Sequence, residues 1–249
     1  MGGGLMTDLP GGRVLPRVFF DRPSTAVAPE LLGCVLVHSL AEGVVAAEIV
    51  EVEAYMGRID PPSHAFRGQT ARNEVMFGEP GHAYVYFTYG MHFCVNLVCE
   101  RPGEAAAVLL RAGRVVDGVG LAAARRSGAS GGNGSRRLAQ LASGPARLCQ
   151  ALGIDRAQNG ADVCDPGGAL RVLVPDGFSG LPADRIATGP RVGVSTGAEV
   201  PWRFWIAGNP AVSAYRAHVP RRRTGDRLRA PAGNNMNVTL TRRGGSIQR

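Results

Sequence analysis

A single α+β domain is the fold this sequence predicts, on three observations. The chain has 249 residues, 45% of them hydrophobic, enough to bury a sizeable core. Segments of strand character recur along it with short capped helical segments between them. No internal repeat and no domain boundary interrupts residues 18–215.

The elements follow in order. Residues 1–17 are Gly-rich and expected to be disordered. Ser24 or Thr25 can cap a short helix through Leu31-Leu32, ended by Gly33. Cys34 to Ser39 and Val44 to Tyr55 read as extended. The second contains E-I-V-E-V-E-A-Y with period two, so Val50, Val52 and Ala54 share one face while Ile49, Glu51, Glu53 and Tyr55 share the other. Residues 56–82 form a long polar loop, and a loop of that length is often functional. A hairpin follows: Ala83 to Phe87, a turn at Thr88-Tyr89-Gly90-Met91, then His92 to Val98. Ala105 to Arg111 is a further strand, and helical signals run over 117–126.

Residues 126–137 are Gly/Ser-rich and expected as a mobile insert. Ser143 to Ile154 reads as a helix capped by Ser143, with Pro145 in its first turn and Gly153 past its end. Short strands are expected near 170–174, 190–194 and 203–207. Residues 216–249, with Arg221-Arg222-Arg223, are expected as a basic disordered tail.

Charge narrows the function. The net charge is +8, and all 28 basic residues are arginine. Part of that arginine bias is compositional, but the positive excess points to a polyanion, most simply nucleic acid. Without lysine, a lysine Schiff base is excluded. No apolar run approaches the roughly 20 residues of a membrane span, and no signal-peptide layout opens the chain. The expectation is a cytoplasmic (nucleoid-associated) or nuclear protein, not a secreted one, without a membrane partner. The five cysteines are odd in number and irregularly spaced, as for reduced thiols. His92, Cys94 and Cys99 could contribute to a zinc site, but no second cluster completes it, so no metal is assigned.

Few residues offer chemistry. Glu53 beside Tyr55, entering a long loop, could line a cleft; alternatively Glu53 is a solvated residue on a half-exposed strand. Three of the five tyrosines, Tyr84, Tyr86 and Tyr89, lie within six positions. β-propensity accounts for Tyr84. It accounts less well for Tyr89, which at a hairpin tip in a basic protein suits a wedge for a nucleic-acid groove. Arg111 ends an apolar strand, either solvated or paired with a buried carboxylate. No phosphate loop and no G-x-S-x-G elbow is present.

Several motifs together resemble one family. They are E-A-Y (53–55), S-H-A-F-R-G (63–68), T-x-R-N (70–73) with Met76-Phe77, Y-V-Y-F-T-Y-G-M (84–91) and F-C-V-N (93–96). L-L-R (109–111), S-G-P-A-R-L-C-Q-A-L-G-I (143–154) and P-W-R-F (201–204) complete the series. In this order, over about 30–210, they resemble the alkyladenine (3-methyladenine) DNA glycosylases of the mammalian AAG/MPG type.

That resemblance implies a single compact domain with a curved, mostly antiparallel, roll or open-barrel-like sheet, flanking helices and a protruding DNA-intercalating hairpin. It implies a minor-groove binder of double-stranded damaged DNA in which Tyr89 replaces an extruded nucleotide. Tyr55, His64 and Tyr86 would hold the flipped purine, with Asn96 beneath it. Glu53 would be the general base, holding the attacking water together with Arg111. Met91, His92, Arg72 and Arg147 would be further DNA contacts. His92 stands where many relatives have an aromatic, and Arg147 where lysine is common. The implied reaction is hydrolysis of the N-glycosidic bond of alkylated purines, leaving an abasic site without strand cleavage. It requires no cofactor and no obligate protein partner, and a monomer is the simplest expectation. Two alternatives remain: a non-catalytic nucleic-acid-binding module, and a hydrolase of free nucleosides.

Overall fold

The sheet is assembled on one long strand. In a computed structural model of the protein, Gly43–Tyr55 (β3) runs for 13 residues, and every strand pairing involving it is antiparallel. The structure describes residues 11–88, 90–126 and 138–218. Residues through His218 form one unit. Tyr89, the insert residues 127–137 and the tail 219–249 lie outside the described residues.

β3 uses one edge twice. Its first half pairs with Val35–Leu40 (β2) through a two-residue connection, and Glu51 to Glu53 pair with Arg203–Ile206 (β10). The other edge pairs with Ala106–Asp117 (β6). β6 in turn pairs with His92–Cys99 (β5) and with the short Ala142–Ser143 (β7). Ala83–Thr88 (β4) closes the hairpin onto β5. Gly12–Val14 (β1) pairs with Leu170–Pro175 (β8), which borders β2, and Ile186–Gly189 (β9) borders β10. The result is a ten-strand, open antiparallel sheet among the described residues. Three register shifts interrupt the pairing of β3 with β6: Ala46 pairs with Asp117 but Ala47 with Val115, Ile49 with Gly113 but Glu51 with Ala112, and Val52 with Leu110, so Val116, Val50 and Arg111 are each left unpaired. Such insertions bend a strand and increase its twist, which curves the sheet.

The core lies where β3, β5 and β6 meet the helices. Val52, Ala54, Leu110 and Leu97 are fully buried against Val27, Ala28 and Leu31 of Ser24–Leu31 (α1), and against Leu148 and Leu152 of Pro145–Leu152 (α2). Each such aliphatic side chain contributes about 1.5–3 kcal/mol on burial. A second cluster, including Met76, Phe77 and Tyr84, lies beneath the 56–82 loop. That loop is partly structured by 3₁₀ turns at Gly57–Ile59 and Glu74–Phe77.

Several expectations are corrected. Order begins before residue 18: β1 covers Gly12–Val14, Leu15 is buried, and a helical turn spans Arg17–Phe20. Ser24 does not cap α1. Its hydroxyl donates to the Tyr55 carbonyl at 3.0 Å, fastening the helix to the end of β3. Ser143 belongs to β7, Gly144 holds the N-cap of α2, and Gly153 ends it at φ +70° as expected. The strand expected at 190–194 is displaced to 186–189, because Arg191 is drawn inward to a buried carboxylate. Arg126, placed in the insert, instead ends the helix Val119–Arg125 and donates to Gln150 at 2.6 Å.

Gly57 is one position where the backbone demands glycine. It is buried at φ +59°, and a Cβ there would collide with the Glu104 carbonyl oxygen. Gly57→Ala is therefore expected to cost about 1–3 kcal/mol, read as a lowered denaturation midpoint.

Candidate active site

The site begins with an alternation. Glu51, Glu53 and Tyr55 follow at i, i+2 and i+4 on one face of β3, and both carboxylates are fully buried. Two buried anions so close require compensation. The bulge at Arg111 supplies it by turning that side chain toward them. Arg111 Nε donates to Glu51 Oε1 at 2.9 Å, and its Nη1 lies 3.3 Å from Glu53 Oε1. Arg203, from β10, donates to Glu51 Oε1 at 2.7 Å. Ser213 completes the shell, its N–H 2.7 Å from Glu51 Oε2 and its hydroxyl 2.9 Å from Oε1. Burial alone would raise the Glu51 pKa. The Arg111 charge, the Ser213 amide and Arg203 outweigh it and hold the carboxyl below its ordinary value. Burial would likewise lower the Arg111 pKa, but Glu53 and Glu51 hold it up.

Glu53 is oriented separately. The Val192 amide donates to Oε1 at 2.7 Å, and the Tyr55 hydroxyl to Oε2 at 2.9 Å. Burial, and then the Glu53 charge, push the Tyr55 pKa well up, so it remains a phenol and a donor. A carboxylate offers about four lone-pair positions, so acceptor capacity remains on Oε2. Such a fixed, buried carboxylate can take a proton from water.

Beyond Tyr55 lies an aromatic cleft of about 330 Å³, counting the space open to solvent. Tyr55, His64, Tyr84, Tyr86 and Asn96 line it, with Met76 and Leu109. Tyr84 and Tyr86 stack at 5.5 Å, and His64 meets Tyr86 edge-on at 4.5 Å. His64 Nδ1 is 3.0 Å from the Tyr84 hydroxyl. Burial and then Arg72 depress the His64 pKa, which leaves the ring neutral at pH 7. Buried Asn73 shapes the loop that carries His64: it donates to the His64 and Gly68 carbonyls at 2.9 and 3.0 Å and accepts from Thr70. Asn96 donates to the Tyr84 carbonyl at 3.1 Å.

The expected DNA contacts Met91, His92, Arg72 and Arg147 are all exposed. Met91 is 67% exposed and His92 is exposed beside Gly90, whose φ is +67°. Arg72 is exposed, hydrogen-bonded to the Phe87 carbonyl, with its guanidinium 5.5 Å from the Tyr86 ring centre. Arg147 is exposed but does not line the aromatic cleft. With Arg111, Val192, Ser213 and Arg216 it lines a separate groove. Glu53 is thus touched from the cleft through Tyr55 and from the groove through Arg111 and Val192. Tyr89, the expected wedge, lies outside the described residues.

Glu53 is not the solvated residue of a half-exposed strand, and Arg111 takes the buried-partner alternative. Sequence reasoning missed Glu51, Arg203, Ser213, Asp60 and Arg191 as site residues. Glu51 was legible as facing the same way as Glu53, and Arg203 lies within P-W-R-F. No local signal marks Ser213, Asp60 or Arg191. Arg191 is fully buried, bidentate to Asp60 at 2.6 and 2.8 Å, and lies over Tyr55 at 4.7 Å. The five cysteines are free, and burial raises their pKa values, that of Cys34 to about 12.

Known proteins share this sequence widely. The profile of the methylpurine-DNA glycosylase (MPG) family matches residues 18–210. The chain belongs to this family. As a member it is a hydrolytic DNA N-glycosylase, an enzyme of DNA repair. A Streptomyces avermitilis protein is 53% identical over 220 residues, 88% of this chain and 99% of its own length. Relatives from Leifsonia xyli (54% over 208 residues; 81% of this chain and 92% of the relative) and Methanocella arvoryzae (49% over 203; 80% and 96%) are also similar. All three carry 3-methyladenine DNA glycosylase in their names. Among the described residues no helix is long and apolar enough to cross a membrane.

Removing the Glu51 charge leaves Arg111 and Arg203 buried without their shared anion. Glu51→Gln is expected to cost about 3–5 kcal/mol in chemical denaturation. Because the folded pKa of Glu51 is depressed, its contribution is present above the ordinary value of 4.5 and lost as pH falls through the folded value. The variant should therefore lose less stability than the wild type on acidification below about pH 4.5.

Proposed function

We propose that the protein flips alkylated purines, with 3-methyladenine and 7-methylguanine foremost and hypoxanthine or ethenoadenine also accepted, out of duplex DNA and hydrolyses their N-glycosidic bond. The observation that carries this reading is the buried Glu53 carboxylate, held by Val192, Arg111 and Tyr55, the last of which lines an aromatic cleft. A pure binding module needs neither a buried base nor an arginine clamp.

A base within a duplex hides its glycosidic bond, and extruding it costs a few kcal/mol. Tyr89, from its place in T-Y-G-M, fills the gap left in the stack. Met91, His92 and Arg72, all exposed, lie along the DNA, and Arg147 contacts a backbone phosphate. Tyr55, His64 and Tyr86 stack on the purine, worth about 1–3 kcal/mol per base. Asn96 lies beneath it and disfavours a guanine 2-amino group.

Water attacks the anomeric carbon while Glu53 accepts its proton. The C–N bond breaks with its electron pair passing to the purine, and Arg111 holds Glu53 in place. An N-alkylated purine is cationic and becomes neutral on departure, so no acid is needed. A neutral base such as hypoxanthine needs partial protonation and reacts more slowly. With no lysine in the chain, the enzyme is monofunctional and leaves an abasic site. It acts as a monomer, without cofactor or obligate protein partner, in the compartment that holds the DNA.

Release of free methylated purine from alkylated duplex is the test. Glu53→Gln should lower the single-turnover rate by about 10²–10⁴-fold with DNA binding retained. Equal rates in both proteins would remove Glu53 from the mechanism, and tight DNA binding without release from any lesion would make the protein a binding module. Tyr89→Ala should lower excision from duplex by about tenfold or more while leaving hydrolysis of a free alkylated nucleoside unchanged. Equal losses on both substrates would contradict the wedge.

A further inference from the structure

The wall formed by Tyr55 has a second layer behind it. The Arg191 side chain is fully buried, with its guanidinium 4.7 Å from the Tyr55 ring centre and 5.1 Å from that of Trp202. It donates to the Ala54 carbonyl at 3.0 Å and in a fork to both Asp60 oxygens. Asp60 in turn accepts from the Met56 amide at 3.2 Å, and its carbonyl accepts from the Ser63 amide, next to His64. The residue after Arg191 is Val192, whose amide orients Glu53. The pair therefore ties together two cleft residues and the base, without lining the cleft itself.

Its electrostatics matter as well as its position. A ring attracts a cation through the electron density of its faces. An uncompensated guanidinium on one face of Tyr55 would withdraw that density and repel a cationic base stacked on the ring. Asp60, bidentate and equally buried, cancels the charge over a distance shorter than that to the cleft.

Resting on the glycosylase reading above, we infer that Asp60 and Arg191 are specificity-determining positioning residues: together they hold Tyr55 rigidly while keeping its backing electrically neutral, which favours cationic over neutral purines. Both act through Tyr55 rather than on the base.

The test compares single-turnover excision of cationic 7-methylguanine and neutral hypoxanthine from otherwise identical duplexes. Asp60→Asn leaves the guanidinium uncompensated and should lower the cationic-to-neutral rate ratio by about two- to fivefold, the range of a cation–π contact. Arg191→Met should raise that ratio, whatever its effect on the absolute rates. The double variant restores neutrality and should return the ratio to near the wild-type value. If Asp60→Asn alone does not fold, Arg191→Met and the double variant differ only in the Asp60 charge and read the same effect. Loss of both activities in equal proportion, or ratio shifts of the same sign in both single variants, would reduce the pair to a structural role. Failure of the wild type to release either base would instead overturn the glycosylase reading.

Discussion

The site depends on one buried network of opposite charges. Glu51 and Glu53 point the same way from one strand into an interior that excludes water, and Arg111 and Arg203 make that tolerable. A buried carboxylate without a partner carries a large desolvation cost, and for Glu51 the nearby Arg111 and Arg203 charges and the Ser213 amide outweigh it. The arginines come from different strands, so the network also ties β6 and β10 to β3. β6 approaches from one edge of β3 and β10 from the other, and both deliver a guanidinium to Glu51. Folding and the assembly of this carboxylate cluster are thereby the same event.

The backbone makes this possible through an irregularity. In a regular ladder Arg111 would have a partner on β3, but the bulge leaves it unpaired and turns it toward the carboxylates. The long loop after Tyr55 performs the complementary task on the other side. Asn73 folds it so that His64 faces Tyr84 and Tyr86, and Asp60 anchors its start to Arg191. A chain with few regular helices thus obtains a rigid cleft from buried polar contacts, each of which would be costly if left unsatisfied.

Family membership gives these contacts a chemical meaning. On the proposed reading, an N-glycosylase acting on an already charged purine needs one general base, one aromatic cage and a means of extruding the nucleotide. The carboxylate is approached on one side by the aromatic cleft and on the other by a groove bearing Arg147 and Arg216. That arrangement suits the proposed substrate, whose base and sugar-phosphate backbone are to be held apart on the two sides of the bond to be broken.

Much was legible locally. The period-two run over 48–55, the Tyr-rich hairpin and the Pro145–Gly153 helix follow from side-chain alternation, turn chemistry and capping, which neighbours in sequence determine. The motif series placed Glu53, Tyr55, His64, Tyr86, Asn96 and Arg111 in one site, and the structure brings them together. Tertiary contacts decided the rest. Ser24 gave up its cap for the Tyr55 carbonyl, 190–194 lost its strand because Asp60 captures Arg191, and residues 12–14 gained one because β8 offered an open edge. Glu51 looked like one more polar residue on an alternating strand. Only the register shift that turns Arg111, and the distant arrivals of Arg203 and Ser213, make it the centre of the network. Long-range partners carry no signature in the local pattern, since the physics that selects them, neutralising buried charge, operates only once the chain has folded.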